Sequence, residues 1–378
     1  MGAGVMIKES FANIPSIEGP IKVTEKSHPF CAMEYSRTPL KLEEYGYLEE
    51  EYFLTGHANI YDTDETDEVV VFKQNLPYKT RILVRRPQDC RKYSGRVYVD
   101  IMNATQGYDI EDLWHRNYLW CMENGQRIFD GYLNIVGALV QRSIRQEDTI
   151  GPLRLSVRNM RPCETPYICM SSEADLYLFN LFLEGNLFKV KIENSDTEKN
   201  KCRYYEIPGS PHTDIVCPVL TAISEIEQMD GKLPNLDPKL LEHINDMHVE
   251  YYICGLLEKL HIWASQKIAP EVYEPMERTE EDLVRDTFGN AKGGLRTSYV
   301  EVPIATYVAS NPDDPEGICG TMEYFTESTV KQLYGSEEGY LSKFKEYTLK
   351  QQEEGWLSKT DAEKMIIWSR EAVKHIRK

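Results

Sequence analysis

Arg96-Val-Tyr-Val-Asp-Ile-Met-Asn103, a helical stretch from Ile110 to Asn124, and Phe129-Asp-Gly-Tyr-Leu-Asn-Ile-Val-Gly-Ala-Leu-Val140 follow one another with little between them. The first and last are short apolar runs rich in β-branched and aromatic residues, the composition of buried strands. Gly125 stands where a helix C-cap belongs. Strand, helix, strand is the building unit of a mainly parallel sheet flanked by helices, so the chain reads as α/β.

The pattern continues outward in both directions. Toward the N-terminus, residues 41–62 predict a strand, Val69-Val-Val-Phe72 a second, and Tyr78-Lys-Thr-Arg-Ile-Leu-Val-Arg-Arg-Pro87 a third that its proline ends. Residues 1–40 read as an irregular lead-in. Toward the C-terminus, Pro166-Tyr-Ile-Cys-Met-Ser-Ser-Glu173-Ala-Asp175 predicts a buried strand ending in carboxylates. Arg203-Tyr-Tyr-Glu-Ile-Pro-Gly-Ser-Pro-His212-Thr-Asp214 predicts a strand that runs into a tight turn carrying a histidine. The apolar stripe through Leu240, Leu241, Ile244, Met247, Ile253, Leu256, Leu257 and Leu260 predicts one long helix over 238–268. Residues 281–310 read as a loop with Gly289, Gly293 and Gly294, ending in a strand from Tyr299 to Val308. The tail 326–378 reads as helical and charged. The expected organisation is a lead-in (1–40), one domain (41–325) and a helical extension packed on that domain (326–378).

Bulk composition excludes several classes. Hydrophobic residues make up 41% of 378, enough for a sizeable core. The net charge of −18 argues against nucleic acid or an anionic membrane surface as partner. No apolar run approaches the length of a membrane span, and no signal-peptide pattern opens the chain. The nine cysteines show no Cys-x-x-Cys spacing, so neither a disulfide framework, a metal site nor a cofactor motif is expected, and reduced thiols point to the cytoplasm.

Acyl transfer needs a nucleophile, a base, a carboxylate that orients the base, and donors for the oxyanion. His212, on a turn after a strand, is the candidate base; the alternative is a loop histidine satisfied by a neighbouring carboxylate. Glu173 is the candidate orienting acid, with Asp175 in reserve; the alternative is that these carboxylates cap the next helix. Acid then histidine, each just after a strand, is the second half of a Ser–acid–His order. The first half is missing, because no Gly-x-Ser-x-Gly occurs. Gly317-Ile-Cys319-Gly lies after His212 and lacks the final glycine. Ser143, Ser171 and Ser172 have no flanking glycines at that spacing. His243, His248 and His261 fall on the predicted long helix, without a His-x-x-x-His pair. The loop Asn103-Ala-Thr-Gln-Gly107 is a candidate oxyanion loop, though such a loop is more often a plain strand-to-helix turn.

Several longer stretches carry a resemblance. Tyr45-Gly-Tyr-Leu-Glu-Glu-Glu-Tyr-Phe-Leu-Thr-Gly-His-Ala-Asn-Ile-Tyr-Asp62, Tyr78–Pro87, Phe129-Asp-Gly-Tyr-Leu133, Glu206–Asp214, Gly293-Gly-Leu-Arg-Thr-Ser-Tyr-Val-Glu-Val-Pro-Ile-Ala-Thr-Tyr307 and Leu333-Tyr-Gly-Ser-Glu-Glu-Gly-Tyr340 follow in order. Together they resemble the alpha/beta hydrolase domain-containing proteins, a group read as serine esterases. The resemblance implies an α/β-hydrolase-like three-layer sandwich, with Glu173 as triad acid, His212 as triad base and a small-molecule acyl substrate in relatives. In such proteins the helix ending near Gly125 is followed by a strand, an excursion, another strand and the serine elbow. Here Gly125 runs almost directly into the Phe129 strand, so the resemblance implies an internal deletion at about 125–127 that takes the nucleophile with it. The shortened central sheet should then place 96–103 and 129–140 parallel and adjacent. Hydrolase activity is expected to be weak or absent. The alternatives are a non-catalytic binding protein derived from the fold, or a truncated product without a selected role. Self-association is left open.

Overall fold

The computed structural model describes residues 14–29, 31–36, 39–63, 69–93, 97–101, 111, 113–123, 132–135, 164–182, 192–212, 244–310 and 320–377. The chain divides into two compact units, Met1–Glu147 with Val219–Leu233, and Asp148–Pro218 with Pro234–Lys378.

The first unit holds a sheet of β1 (Ser16–Glu18), β2 (Tyr47–Thr63), β3 (Val69–Pro87), β4 (Tyr98–Ile101) and β5 (Tyr132–Ile135), with α1 (Leu113–Glu123) between the last two in sequence. The spatial order is β1-β2-β3-β5-β4. β4 and β5 are neighbours and parallel, with Tyr98 opposite Tyr132 and Ile101 opposite Ile135, as the sequence predicts for the two runs around the helix. β2 and β3 form one long antiparallel hairpin from Tyr47↔Pro87 to Thr63↔Val69. The two strands expected at 69–72 and 78–87 are therefore a single strand. Irregularity between them is absorbed by register shifts between Ala58 and Tyr61, with Asn75 in the left-handed region at φ 53° and its amide donating to Asn59 Oδ1.

An ion cluster fixes the inner end of this hairpin. Arg85 is fully buried; its Nε donates to Glu49 Oε2 at 2.6 Å, its Nη2 to the Cys31 carbonyl at 3.0 Å, and its Nη1 to Glu111. The guanidinium also lies 4.7 Å from the Trp114 ring centroid, which ties the start of α1 to the sheet.

The second unit contains β6 (Tyr167–Ser172), α2 (Glu173–Phe182), β7 (Ser195–Thr197), β8 (Asn200–Ile207), α3 (Glu250–Gln266), α4 (Ser298–Glu301), β9 (Ala305–Val308), β10 (Thr321–Tyr324), α5 (Glu327–Tyr334), α6 (Glu337–Glu353) and α7 (Lys359–Ala372). β6 and β8 pair in parallel, β7 adds to β8 antiparallel, and β9 pairs with β10 antiparallel. The content is α/β, but the described sheets are small and mixed. The mainly parallel pairing expected from the sequence holds only at β4–β5 and β6–β8, because short connections such as the five residues between β2 and β3 can make only hairpins.

Three expectations are corrected here. β6 is partly rather than fully buried, and Tyr167 is exposed. The helix expected over 238–268 begins at Glu250; residues 238–243 lie outside the described residues. Ile244 instead bridges Thr321, and the Asn245 side chain accepts the Met247 amide. A side chain that bonds its own neighbouring backbone competes with helix hydrogen bonds. The strand expected from Tyr299 starts only at Ala305, because Ser298–Glu301 is a turn of helix.

The C-terminal helices are capped by side chains. Thr326, Ser336 and Ser358 accept the amides of Thr329, Gly339 and Asp361. Their apolar faces contribute Tyr340, Phe344 and Met365 to the core that also contains Tyr205, Ile207, Tyr252, Tyr299 and Tyr307. Gly255 allows the close crossing of α3 with the segment before α7, since a Cβ there would stand 2.2 Å from the Trp356 carbonyl oxygen.

Candidate functional site

β8 runs through Tyr205, Glu206 and Ile207 into Pro208-Gly209-Ser210-Pro211-His212. The turn requires glycine. Gly209 has φ +77°, and a Cβ there would stand 3.0 Å from both the Met247 Cε and the Tyr307 Cβ. The Gly209 peptide is gripped on both sides. Its N–H donates to Glu173 Oε2 at 2.6 Å, and its carbonyl accepts from Asn245 Nδ2 at 2.7 Å. Ser210 is fully buried; its Oγ donates to the Ile207 carbonyl at 2.6 Å and accepts the Glu173 N–H at 3.0 Å. The Ala174 N–H reaches the Ser210 carbonyl at 3.2 Å. The turn is thus stitched to the first turn of α2, whose leading amides have no intrahelical partners.

His212 sits at the end of this turn, exposed, with its Nδ1 2.6 Å from Asp175 Oδ1. Asp175 has a second duty. Its Oδ2 accepts the Ser172 N–H at 2.9 Å, and Ser172 Oγ accepts the Asp175 N–H at 3.2 Å, a reciprocal cap at the start of α2. Helix capping and histidine orientation, set against each other on the sequence, are both performed by this one carboxylate.

Glu173, the preferred acid from sequence, serves elsewhere. Two helical residues at i and i+2 point about 200° apart, so only one of Glu173 and Asp175 faces the histidine. Glu173 is fully buried, with Oε1 2.6 Å from Arg285 Nη1 and Oε2 on the Gly209 amide. Burial pushes its carboxyl above the usual carboxylate range, while Arg285 and the Gly209 amide pull the other way. Arg285 Nη2 donates to Tyr177 Oη at 2.8 Å, and that hydroxyl donates to Asp282 Oδ1 at 2.6 Å. Burial raises the Tyr177 phenol as well. Two residues before the turn, Glu206 is buried and accepts from the Tyr204 hydroxyl, the Met276 amide and the Arg278 guanidinium.

An imidazole held at Nδ1 by a carboxylate has a fixed tautomer and orientation, which suits a general base acting through Nε2. Sequence reasoning missed three members of the arrangement: Arg285, Asn245 and Ser210. Ser210 lay inside the quoted turn, but Arg285 and Asn245 have no local motif. Cys319, Ser143, His243, Asp214 and the loop 103–107 lie outside the described residues. Ser172 is committed to the α2 cap. His248 stands two residues before α3 rather than on it, with Nδ1 2.6 Å from Glu250 Oε1, and His261 lies on α3 near Ser265. Among the described residues, no group of His, Cys, Asp and Glu is arranged to hold a metal ion, and no helix is long and apolar enough to cross a membrane.

A family model described as an alpha/beta hydrolase domain matches residues 17–127 and 122–367. No curated protein and no solved structure matches the chain.

Proposed function

The chain belongs to the alpha/beta hydrolase domain family, and from that premise we propose that it derives from a serine-dependent acyl hydrolase whose nucleophile elbow it has lost. In that reading His212 is the inherited base and Asp175 the carboxylate that orients it. Glu173 fastens the turn beneath them. In an intact relative, a serine would attack the acyl carbon, His212 would take its proton through Nε2, and backbone amides would hold the oxyanion. The observation that carries the reading is the close His212–Asp175 pair in a chain without any Gly-x-Ser-x-Gly turn. The family match supports it further, since its two segments overlap at residues 122–127, where the sequence passes from Gly125 almost directly to the Phe129 run.

The same reading extends to architecture and setting. The β4–α1–β5 unit and, separately, the parallel β6–β8 pair support descent from a hydrolase-like three-layer sandwich with a shortened sheet. The domain is taken as 41–325, with 326–378 packed on it; Tyr340 and Met365 sharing a core with Tyr205 and Tyr307 supports that. A small acyl compound is the ancestral substrate, and nucleic acid and membrane are not partners, consistent with the charge of −18. The cysteine usage supports a cytoplasmic setting.

Loss of the nucleophile from a triad lowers kcat by on the order of 10⁶, leaving only what binding and oxyanion stabilisation contribute. A fluorophosphonate probe tests this on the full chain. The expected result is no adduct by intact mass. Labelling that His212→Ala abolishes would show that a serine elsewhere has taken the vacant role. A non-catalytic binding role remains the second reading, and it is favoured by a site whose acid and histidine are held while the elbow is missing.

A further inference from the structure

Behind the His212 turn, the core of the second unit seals several polar atoms that find no partner in the protein. Tyr299, Tyr307 and Tyr340 are fully buried, and none of their hydroxyls has a hydrogen-bond partner among the described residues. Asp246 is partly exposed, yet its Oδ1 is sealed from solvent and equally unpartnered, while its Oδ2 accepts the Trp368 indole N–H at 2.9 Å. Orphaned buried polar atoms are uncommon in native proteins, because a sealed donor or acceptor without a partner keeps its full desolvation penalty. Four of them in one core call for a common explanation.

They belong to one neighbourhood. The Trp368 ring that donates to Asp246 packs edge-on against Tyr299 with centroids 4.5 Å apart, and Tyr299 meets Tyr307 at 6.1 Å. Tyr299 and Tyr340 both pack on Phe344, at 6.0 and 5.7 Å. The Asp246 carboxylate acts electrostatically on all three phenols and helps burial to raise them. The backbone brings Asp246 there: Ile244 bridges Thr321 and the Asn245 amide bonds the Gly320 carbonyl, which lays the segment along the β9–β10 hairpin that carries Tyr307.

We propose that Asp246 Oδ1 and the hydroxyls of Tyr299, Tyr307 and Tyr340 form an internal binding site for ordered water. The chemistry selects this occupant. A carboxylate oxygen takes donors, and each phenol can either donate or accept, so a molecule with two donors and two acceptors satisfies the set. The rings pack closely against one another, which excludes an organic ligand and selects a guest no larger than water. No cationic side chain pairs with Asp246 Oδ1 among the described residues. The site also lies against the candidate catalytic turn. Asn245, next to Asp246, holds the Gly209 carbonyl, and the Tyr307 Cβ is one of the atoms that forces position 209 to be glycine. The proposal does not depend on the hydrolase reading, and its test reads no activity.

Two measurements on the full chain decide it. A crystal structure at about 1.8 Å or better should show water within hydrogen-bond distance of Asp246 Oδ1 and of at least two of the hydroxyls. Tyr307→Phe and Tyr340→Phe should each lower the urea midpoint, because each removes a hydroxyl that water satisfies. A dry core overturns the proposal, whether the hydroxyls stay orphaned or a protonated Asp246 bonds a phenol directly. So does a midpoint that rises in both variants, since deleting an orphaned hydroxyl relieves a penalty rather than breaking a bond. Each variant keeps the aromatic ring that packs the core, so misfolding is not the expected outcome of either.

Discussion

Replacing Glu173 by alanine removes both grips of one buried carboxylate. The Gly209 amide loses its acceptor at 2.6 Å, and Arg285 loses its partner at the same distance. A buried amide without a partner costs about 1–3 kcal/mol. A buried pair broken on one side costs about 3–5 kcal/mol. Arg285 is 31% exposed, so water recovers part of that second cost. The expected loss for Glu173→Ala is therefore about 3–5 kcal/mol in all. Glu173→Gln keeps an acceptor for the Gly209 amide and a neutral partner for Arg285, so it should cost less than Glu173→Ala, at most about 1–2 kcal/mol. The pH dependence separates the two contributions. Because burial raises the folded-state pKa of Glu173, the folded state binds the proton more tightly than the unfolded chain does. The parent should lose stability as pH rises from the unfolded carboxylate value, about 4.3, to the raised folded value. Gln cannot titrate, so the stability gap between parent and Glu173→Gln should narrow across that window. Urea denaturation from pH 4 to 8 measures both effects. Glu173→Ala within about 0.5 kcal/mol of the parent, the range of an ordinary surface change, would refute the idea that this carboxylate holds the turn.

Other expectations follow from the same region. Asp175→Ala should cost about 1 kcal/mol through the lost cap of α2 and should abolish a downfield His212 Nδ1 proton resonance in NMR spectra of the parent; a resonance that persists would assign the bond to another partner. Gly209→Ala combines a left-handed φ of +77° with contacts at 3.0 Å, so its thermal midpoint should fall by the equivalent of more than about 1 kcal/mol. Burial pushes the Cys169 thiol up to about 11, so iodoacetamide at pH 8 should modify the exposed Cys90 well before Cys169, as peptide mass mapping would show.

Much of this arrangement was legible in local sequence, and the rest was not, for physical reasons. The β4–α1–β5 unit announced itself through period and composition, and its parallel pairing followed from the helix between the strands. The histidine turn was readable because Pro208, Gly209 and Pro211 restrict the backbone wherever they occur. Which of two carboxylates met the histidine depended on helical phase, and that becomes fixed only when Ser172 sets the first residue of α2. Arg285 was invisible because its partner is over a hundred positions away in sequence, and the loop that carries it is ordered by tertiary bridges such as Met276↔Gly293. The helix expected from 238 failed for a related reason. An apolar stripe reports which residues are buried, and Ile244 and Met247 are buried in an extended segment just as well as in a helix.

The two oxygens of Asp175 answer to different constraints, one to a helix that must start there and one to an imidazole. A substitution at this position is felt by the helix as well as by the histidine. A histidine–carboxylate pair built this way is therefore held by the start of the helix, whatever the imidazole does. The carboxylate's second hydrogen bond thus couples the orientation of His212 to the folding of α2, so that whatever frays the helix also releases the imidazole.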